Sequence, residues 1–141
     1  MRTLYEIVSD NHQQPLTMPP ITTVQEACRE MRDHRADTVF VTNEIGALVG
    51  VFTAGDAVKR VLAAGKSPAE LKLGEVMTRD PVAMPPEKTA LDALRLMWDG
   101  GFRHIPVTKA GKLVGCVTRA DMKGDERACH DQERELWEHM R

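Results

Sequence analysis

The chain is short of the features that would point to a stapled, membrane-bound or catalytic protein. It has three cysteines, an odd number, with Cys28 and Cys116 in apolar helix and strand contexts and Cys129 in a charged stretch. A disulfide framework is therefore not expected. Charge of one sign is equally scarce: 19 Lys and Arg against 21 Asp and Glu leave a formal net charge of −2, which offers no basic excess to nucleic acid or an anionic membrane. No apolar run approaches the roughly 20 residues of a membrane-crossing helix, and the polar first residues carry no targeting signal. The expectation is a cytoplasmic protein with neither nucleic acid nor membrane as partner. Patterns such as His-Glu-x-x-His, Cys-x-x-Cys, Gly-x-Ser-x-Gly and the phosphate loop are absent, and Cys129, His130 and His139 scatter along a polar helix without metal-ligand spacing. Neither an enzyme nor a metal site is expected.

What the chain does contain is the same message twice. Residues 49 to 56, Val-Gly-Val-Phe-Thr-Ala-Gly-Asp, match residues 114 to 121, Val-Gly-Cys-Val-Thr-Arg-Ala-Asp, at an offset of 65. Upstream, Leu16 to Pro20 matches Val82 to Pro86, Ala27 to Met31 matches Ala93 to Met97, and Val39 to Val41 matches Ile105 to Val107, all at 66. One inserted residue near Glu44 and Ile45 accounts for the drop. Leu4 to Val8 matches Leu73 to Met77 at 69, which puts three extra residues of the first copy within Asp10 to Gln14. A unit of roughly 60 residues buries too little surface alone, so two copies imply one pseudo-symmetric module of 141 residues, 42% of them hydrophobic.

Local patterns fill in the unit. Val24, Ala27, Cys28 and Met31 share one helix face behind the capping candidates Thr22 and Thr23, and Leu91, Leu94, Met97 and Trp98 repeat it, with Gly100 and Gly101 as the stop. Thr38 to Val41 and His104 to Val107 read as strands, followed by turns at Asn43 to Gly46 and Lys109 to Lys112 and by hairpin partners at Ala47 to Phe52 and Leu113 to Val117. Pro106 belongs where no ladder bond is required. Asp56 to Ala64 reads as a second helix with Val58, Val61 and Leu62 inward and Gly65 as its stop. Gly124 interrupts the helix opened at Thr118. Beyond it, Cys129, Leu136, Trp137 and Met140 form a narrow apolar stripe, suited to a helix folded back on the domain or to a dimer or partner contact.

The Thr53/Asp56 and Thr118/Asp121 spacings admit two uses. Thr followed three residues later by an acid is a capping-box variant. A helix start beside a glycine turn also presents amides and a hydroxyl to phosphate, while the acid can accept both hydroxyls of a ribose. The helix ending in Ala-x-x-x-Met, the strand Arg103-His104-Ile105-Pro106-Val107 and the Gly-x-x-Thr-x-x-Asp turn, in register twice, resemble the cystathionine-beta-synthase (CBS) domain pair, or Bateman module. The resemblance spans about residues 3 to 124. It implies an α+β fold of two βαββα repeats (3–66 and 67–124) facing each other across two clefts that bind adenine-containing ligands, with 125–141 as a charged helical tail. It further implies Asp56 and Asp121 on ribose, Thr53 and Thr118 toward phosphate, Thr17 and Ala83 lining the adenine pocket, and Val39 and Ile105 against the base.

The two copies differ where phosphate would sit. Arg103 and His104 replace Asp37 and Thr38, and Arg119 replaces Ala54, so cationic donors gather in the second copy only. Arg103 in a surface salt bridge and His104 half-buried and satisfied is the structural alternative. The combined expectation is a regulatory module for AMP, ADP, ATP, NAD or S-adenosylmethionine, without a catalytic cofactor, forming a homodimer and signalling to an effector protein. The alternative is a scaffold with vestigial clefts acting through its C-terminal helix.

Overall fold

The computed structural model describes residues 1–12 and 14–140. Gln13, inside the expected insertion, and Arg141, at the end of the tail, lie outside the described residues. The chain forms two compact units, a first of Pro15–Pro81 with Gly111–Leu113 and a second of Met1–Gln14, Val82–Ala110 and Val114–Arg141.

In the first unit, Thr23 caps helix α2 (Val24–Asp33) by accepting from the Glu26 amide at 3.2 Å. Val24, Ala27 and Met31 on one face of α2 meet Val39 and Val41 of β2 (Thr38–Thr42) and Phe52 of β3 (Leu48–Thr53) in a closed apolar core. A four-stranded sheet runs β1 (Thr17–Met18), β2, β3, β4 (Thr78–Arg79), with β1 parallel to β2 and the rest antiparallel. After β3 a short helix, α3 (Ala54–Asp56), widens into a π-helical segment, Ala57–Leu62. Its i→i+5 bonds, Ala63 N to Val58 O and Lys66 N to Val61 O, change the facing of the side chains. Only Val61 is buried, and the expected inward Val58 and Leu62 are instead 57% and 65% exposed.

The second unit repeats this plan with α5 (Ala90–Gly100), β5 (His104–Lys109) and β6 (Lys112–Thr118), and Gly101 ends α5 in the left-handed conformation at φ 70°. Leu94 and Met97 are buried as expected, whereas Trp98 is 57% exposed, turned to the edge of the stripe. Pro106 explains one asymmetry. Its counterpart Phe40 donates its amide to Leu16 O at 2.9 Å, a bond that proline lacks. The parallel strand beside β5 is accordingly reduced to a single bridge, Met84 with Val107. Gly124 does not break a helix opened at Thr118. A 3-10 turn (Arg119–Asp121) ends at Met122, and Gly124 begins a separate helix, α6 (Gly124–His139), which packs along α5.

The compact units do not follow the order of the repeats, because the leading helices are exchanged. Helix α1 (Leu4–Asn11), upstream of the first copy, lies in the second unit: Leu4 N donates to Lys88 O at 2.7 Å, and Ala90 N to Arg2 O at 3.0 Å. Leu4 and Ile7 sit fully buried among Ala93, Leu94 and Ile105, a placement worth about 1.5–3 kcal/mol for each side chain. Helix α4 (Leu73–Val76) does the same in the first unit, with Leu73 N on Thr22 O at 2.9 Å and Leu73 and Val76 in its core.

That exchange accounts for the repeated glycine. Gly50 and Gly115 lie within β3 and β6, inside the expected hairpin strands 47–52 and 113–117, and each is the seat of a leading helix. A Cβ on Gly50 would stand 2.3 Å from the Met77 sulfur, and one on Gly115 would stand 2.4 Å from Cγ1 of Val8. Met77 and Val8 are themselves repeat counterparts. Gly115→Ala is therefore expected to cost about 1–3 kcal/mol through overpacking. Val8→Ala in the same chain should recover much of it in urea melts, and an unchanged midpoint for Gly115→Ala alone would contradict the close seat.

Candidate functional site

Both Thr-x-x-Asp motifs sit where a strand hands over to a helical turn. In the first unit Thr53 N donates to Oδ2 of Asp56 at 2.9 Å, and Asp56 N donates to the Thr53 hydroxyl at 3.1 Å, a complete capping box. In the second, Thr118 N and the Thr118 hydroxyl both donate to Oδ2 of Asp121, at 2.7 and 3.2 Å. The two carboxylates differ in their remaining oxygen. Oδ1 of Asp56 lies 3.6 Å from Arg60 Nε, whereas among the described residues no ion pair is made by the Asp121 carboxylate, and Arg2 reaches only the Asp121 backbone carbonyl, at 3.1 Å. Arg60 is a residue that sequence reasoning missed. It stands one turn after Asp56 and also donates to Val76 O at 3.0 Å.

The remaining residues expected in the site divide by burial. Val39 and Ile105 are 0% exposed and belong to the two cores, so any adenine contact at these strands would fall to backbone groups. Thr17 is exposed on β1, and Ala83 is half-buried beside the Met84 bridge. Pro106 is buried, with its carbonyl accepting from Met84 N at 3.0 Å. Asp37 is exposed and accepts from the Thr38 hydroxyl at 3.1 Å.

Arg103, His104 and Arg119 are brought together in the second unit. With Thr118, Ala120 and His130 they line a groove of about 440 Å³ that Leu94, Met97, Trp98 and Phe102 also line. Two arginines and two histidines line it and no carboxylate does, in a chain with 21 Asp and Glu against 19 Lys and Arg. Such a groove favours an anion. Arg103 is exposed, and Arg119 reaches Asp131 of α6 at 3.6 Å.

Helix α6 forms the outer side of this region. Arg95 of α5 makes a two-pronged contact with Glu133, and the Arg134 guanidinium lies over the Trp98 ring at 3.3 Å from its centre. Between these, His130 is 2% exposed and its Nδ1 is buried without a hydrogen-bond partner. Burial first, then the charges of Arg134 and Arg119, push the imidazole below its ordinary value against the opposing Asp131 and Glu133. A folded value lowered in this way means the unfolded chain binds the proton better. The stabilisation is complete above the ordinary histidine value near 6.5 and declines as the pH falls below it. Amide exchange across 124–139 should therefore quicken as the pH is taken from about 7.5 to about 5, after correction for intrinsic rates. His130→Leu should flatten that trend, and an unaltered trend in the variant would place its origin elsewhere.

Among the described residues, no three His, Cys, Asp or Glu side chains could hold a metal ion, and no helix is long and apolar enough to cross a membrane.

The fold recurs in known proteins. A family model described as CBS domain matches residues 6–63 and 73–124. The CBS domain-containing protein CBSCBSPB3 of Arabidopsis thaliana is 39% identical over 102 residues, which are 72% of this chain but 18% of that protein, so the chain spans under a fifth of this relative. A solved CBS-domain containing protein from Agrobacterium tumefaciens is 27% identical with a TM-score of 0.75, covering 84% of this chain and 94% of its own. A CBS domain protein from Pyrobaculum aerophilum, solved in complex with AMP, shares the fold with a TM-score of 0.79 at 18% identity, over 92% of this chain and 98% of that one. Because the family model matches once in each of the two sequence copies, the chain belongs to the CBS domain family as a tandem pair.

Proposed function

We propose that the protein is a regulatory module, not an enzyme, that binds an adenine-containing nucleotide and reports its occupancy to a separate effector. The observation that carries this reading is the second unit's acid-free groove beside Thr118 and Asp121, with Arg103 and Arg119 directed to it. Asp121 would take the ribose hydroxyls and Thr118, Arg103, His104 and Arg119 the phosphate. In each repeat its own members of these pairs, Thr17 or Ala83 and the backbone of the strand carrying Val39 or Ile105, would border the base. Thr53 and Asp56 would serve the same roles in the first repeat, where Asp37 is exposed and Asp56 is already beside Arg60. The more highly charged nucleotide should therefore favour the second repeat. AMP in the Pyrobaculum protein supports the ligand class. A change in relative stability of two arrangements, set by differential affinity, would carry the signal. Assembly as a homodimer is part of the proposal.

The test is a thermal-shift screen of AMP, ADP, ATP, NAD and S-adenosylmethionine. A ligand at 100 times its dissociation constant adds about 2.7 kcal/mol of stability. No shift with any of them would favour the second reading, a scaffold acting through α6. Leu136, Trp137 and Met140, at 65%, 64% and 75% exposed, favour that second reading. It is tested by ending the chain after Gln132, which removes the stripe but keeps the buried Glu126 and His130. Loss of a homodimer with unchanged nucleotide binding would assign assembly to the stripe.

A further inference from the structure

We infer that helix α6 is the element that reads phosphate occupancy in the second repeat, through a contest between Asp131 and the ligand for Arg119. The inference rests on the reading that Arg119 receives the phosphate. Arg119 follows Thr118 directly and lines the acid-free groove, yet its ion-pair partner among the described residues is Asp131, at 3.6 Å and on α6. Asp131 also lies 3.9 Å from Arg134, whose guanidinium covers Trp98. One acid thus joins the groove's arginine to the contact that seats α6 on α5. A phosphate in the groove offers Arg119 a more highly charged partner and at the same time repels the Asp131 carboxylate. Either effect weakens the hold of α6 at its middle turn.

That turn is already poorly held. His130, the neighbour of Asp131, is buried with Nδ1 unpartnered, so the docked helix leaves a polar atom unsatisfied at the point where it meets the groove. An element bound with such a defect needs little differential affinity to shift. Movement here would rearrange Arg134 over Trp98 and redirect the apolar stripe farther along the helix. The chain's two tryptophans, Trp98 and Trp137, both line the α5/α6 hollow, and Trp98 also lines the groove, so a Trp98→Phe chain leaves Trp137 to report on the α5/α6 contact apart from direct ligand contact.

The experiment compares the full chain with Asp131→Asn, a nearly isosteric exchange at a half-exposed side chain. AMP should bind the variant about 1.4- to five-fold more tightly than the native chain, the span set by an exposed ion pair, while adenosine, lacking phosphate, should bind both alike. AMP should shift tryptophan emission and quicken amide exchange across 124–139 in the native chain. In Asp131→Asn both readouts should already lie near the AMP-bound position. If the native chain binds AMP but the variant binds it no more tightly and its fluorescence response is unchanged, the contest for Arg119 does not operate and the nucleotide reading stands. If the native chain binds neither AMP nor adenosine, the nucleotide reading falls and the contest falls with it.

Discussion

Replacing Glu126 by alanine should lower the stability of the chain by about 3–5 kcal/mol, the usual result of removing one partner from a buried ion pair. Glu126 is 3% exposed. Arg2 Nη2 donates to Oε1 at 2.6 Å and Arg2 Nε to Oε2 at 3.1 Å, while Lys123 N donates to Oε1 at 2.7 Å. Arg2 also donates to Asp121 O at 3.1 Å, so the same guanidinium fastens α1, the Thr-x-x-Asp turn and α6 within the second unit. Alanine would leave that cation half enclosed without its acid. Position 126 aligns with the core residue Val61 at the offset of 65. The double change Arg2→Met with Glu126→Val should therefore restore stability to within about 1 kcal/mol, because apolar replacements of buried pairs are often neutral. The hydrogen bond from Arg2 holds the Glu126 carboxyl below the usual range despite its burial. Its contribution is present above the ordinary glutamate value near 4.5 and lost as the pH falls through the folded value. Urea melts at neutral pH and across the acid range check both points, and a single variant within 1 kcal/mol of the native chain would contradict the role given to the pair.

Asp121→Ala should weaken AMP binding by about ten- to a hundred-fold, the span of a lost charge-assisted hydrogen bond, if the proposed ribose contact holds. Both Thr118 donors fall on Oδ2, which leaves Oδ1 to accept a hydroxyl. The loss of the cap should cost stability only about 1 kcal/mol. Asp121→Asn separates the two effects, since it keeps an acceptor for Thr118 and gives up the charge. Calorimetry showing native affinity in Asp121→Ala would remove Asp121 from the ligand's contacts while leaving its capping role intact.

Periodicity and turn chemistry made the elements of each repeat legible: Thr23 as cap, Gly101 as stop, the strands around Val39 and Ile105. What they could not show was which core each element joins. Leu4 and Ile7 carry the same apolar spacing whichever repeat they serve, and only the tertiary pairing of Thr3 with Thr89 decides it. The glycines were readable as recurrent but not as seats, because the side chain that needs the space lies 27 residues downstream of Gly50 and far upstream of Gly115. Glu126 reads as a surface residue on a charged helix, and its burial depends on an arginine at the other end of the chain. Arg103, His104 and Arg119 were brought together as the sequence contrast suggested. The part α6 plays in their groove was not visible, since His130 looked like one more polar residue in a polar stretch. The π-helical widening after Asp56 left no signature at all, and it reversed the facing of Val58 and Leu62.

The exchanged leading helices set an order of assembly. The first unit is nearly continuous, so during synthesis its core can close once residue 81 has left the ribosome. The second unit cannot. Leu4 and Ile7 are made more than 80 residues before their partners from Ala90 to Met122, and Arg2 waits longer still for Glu126. Closing so long a loop is costly and slow. Until then α1 is a short apolar helix without a core, an isolated piece of eight residues that is unstable in water. A chain cut near residue 81, at the join between the sequence repeats, would keep α1 and never supply its partners, so the repeat boundary is the wrong place to divide this protein.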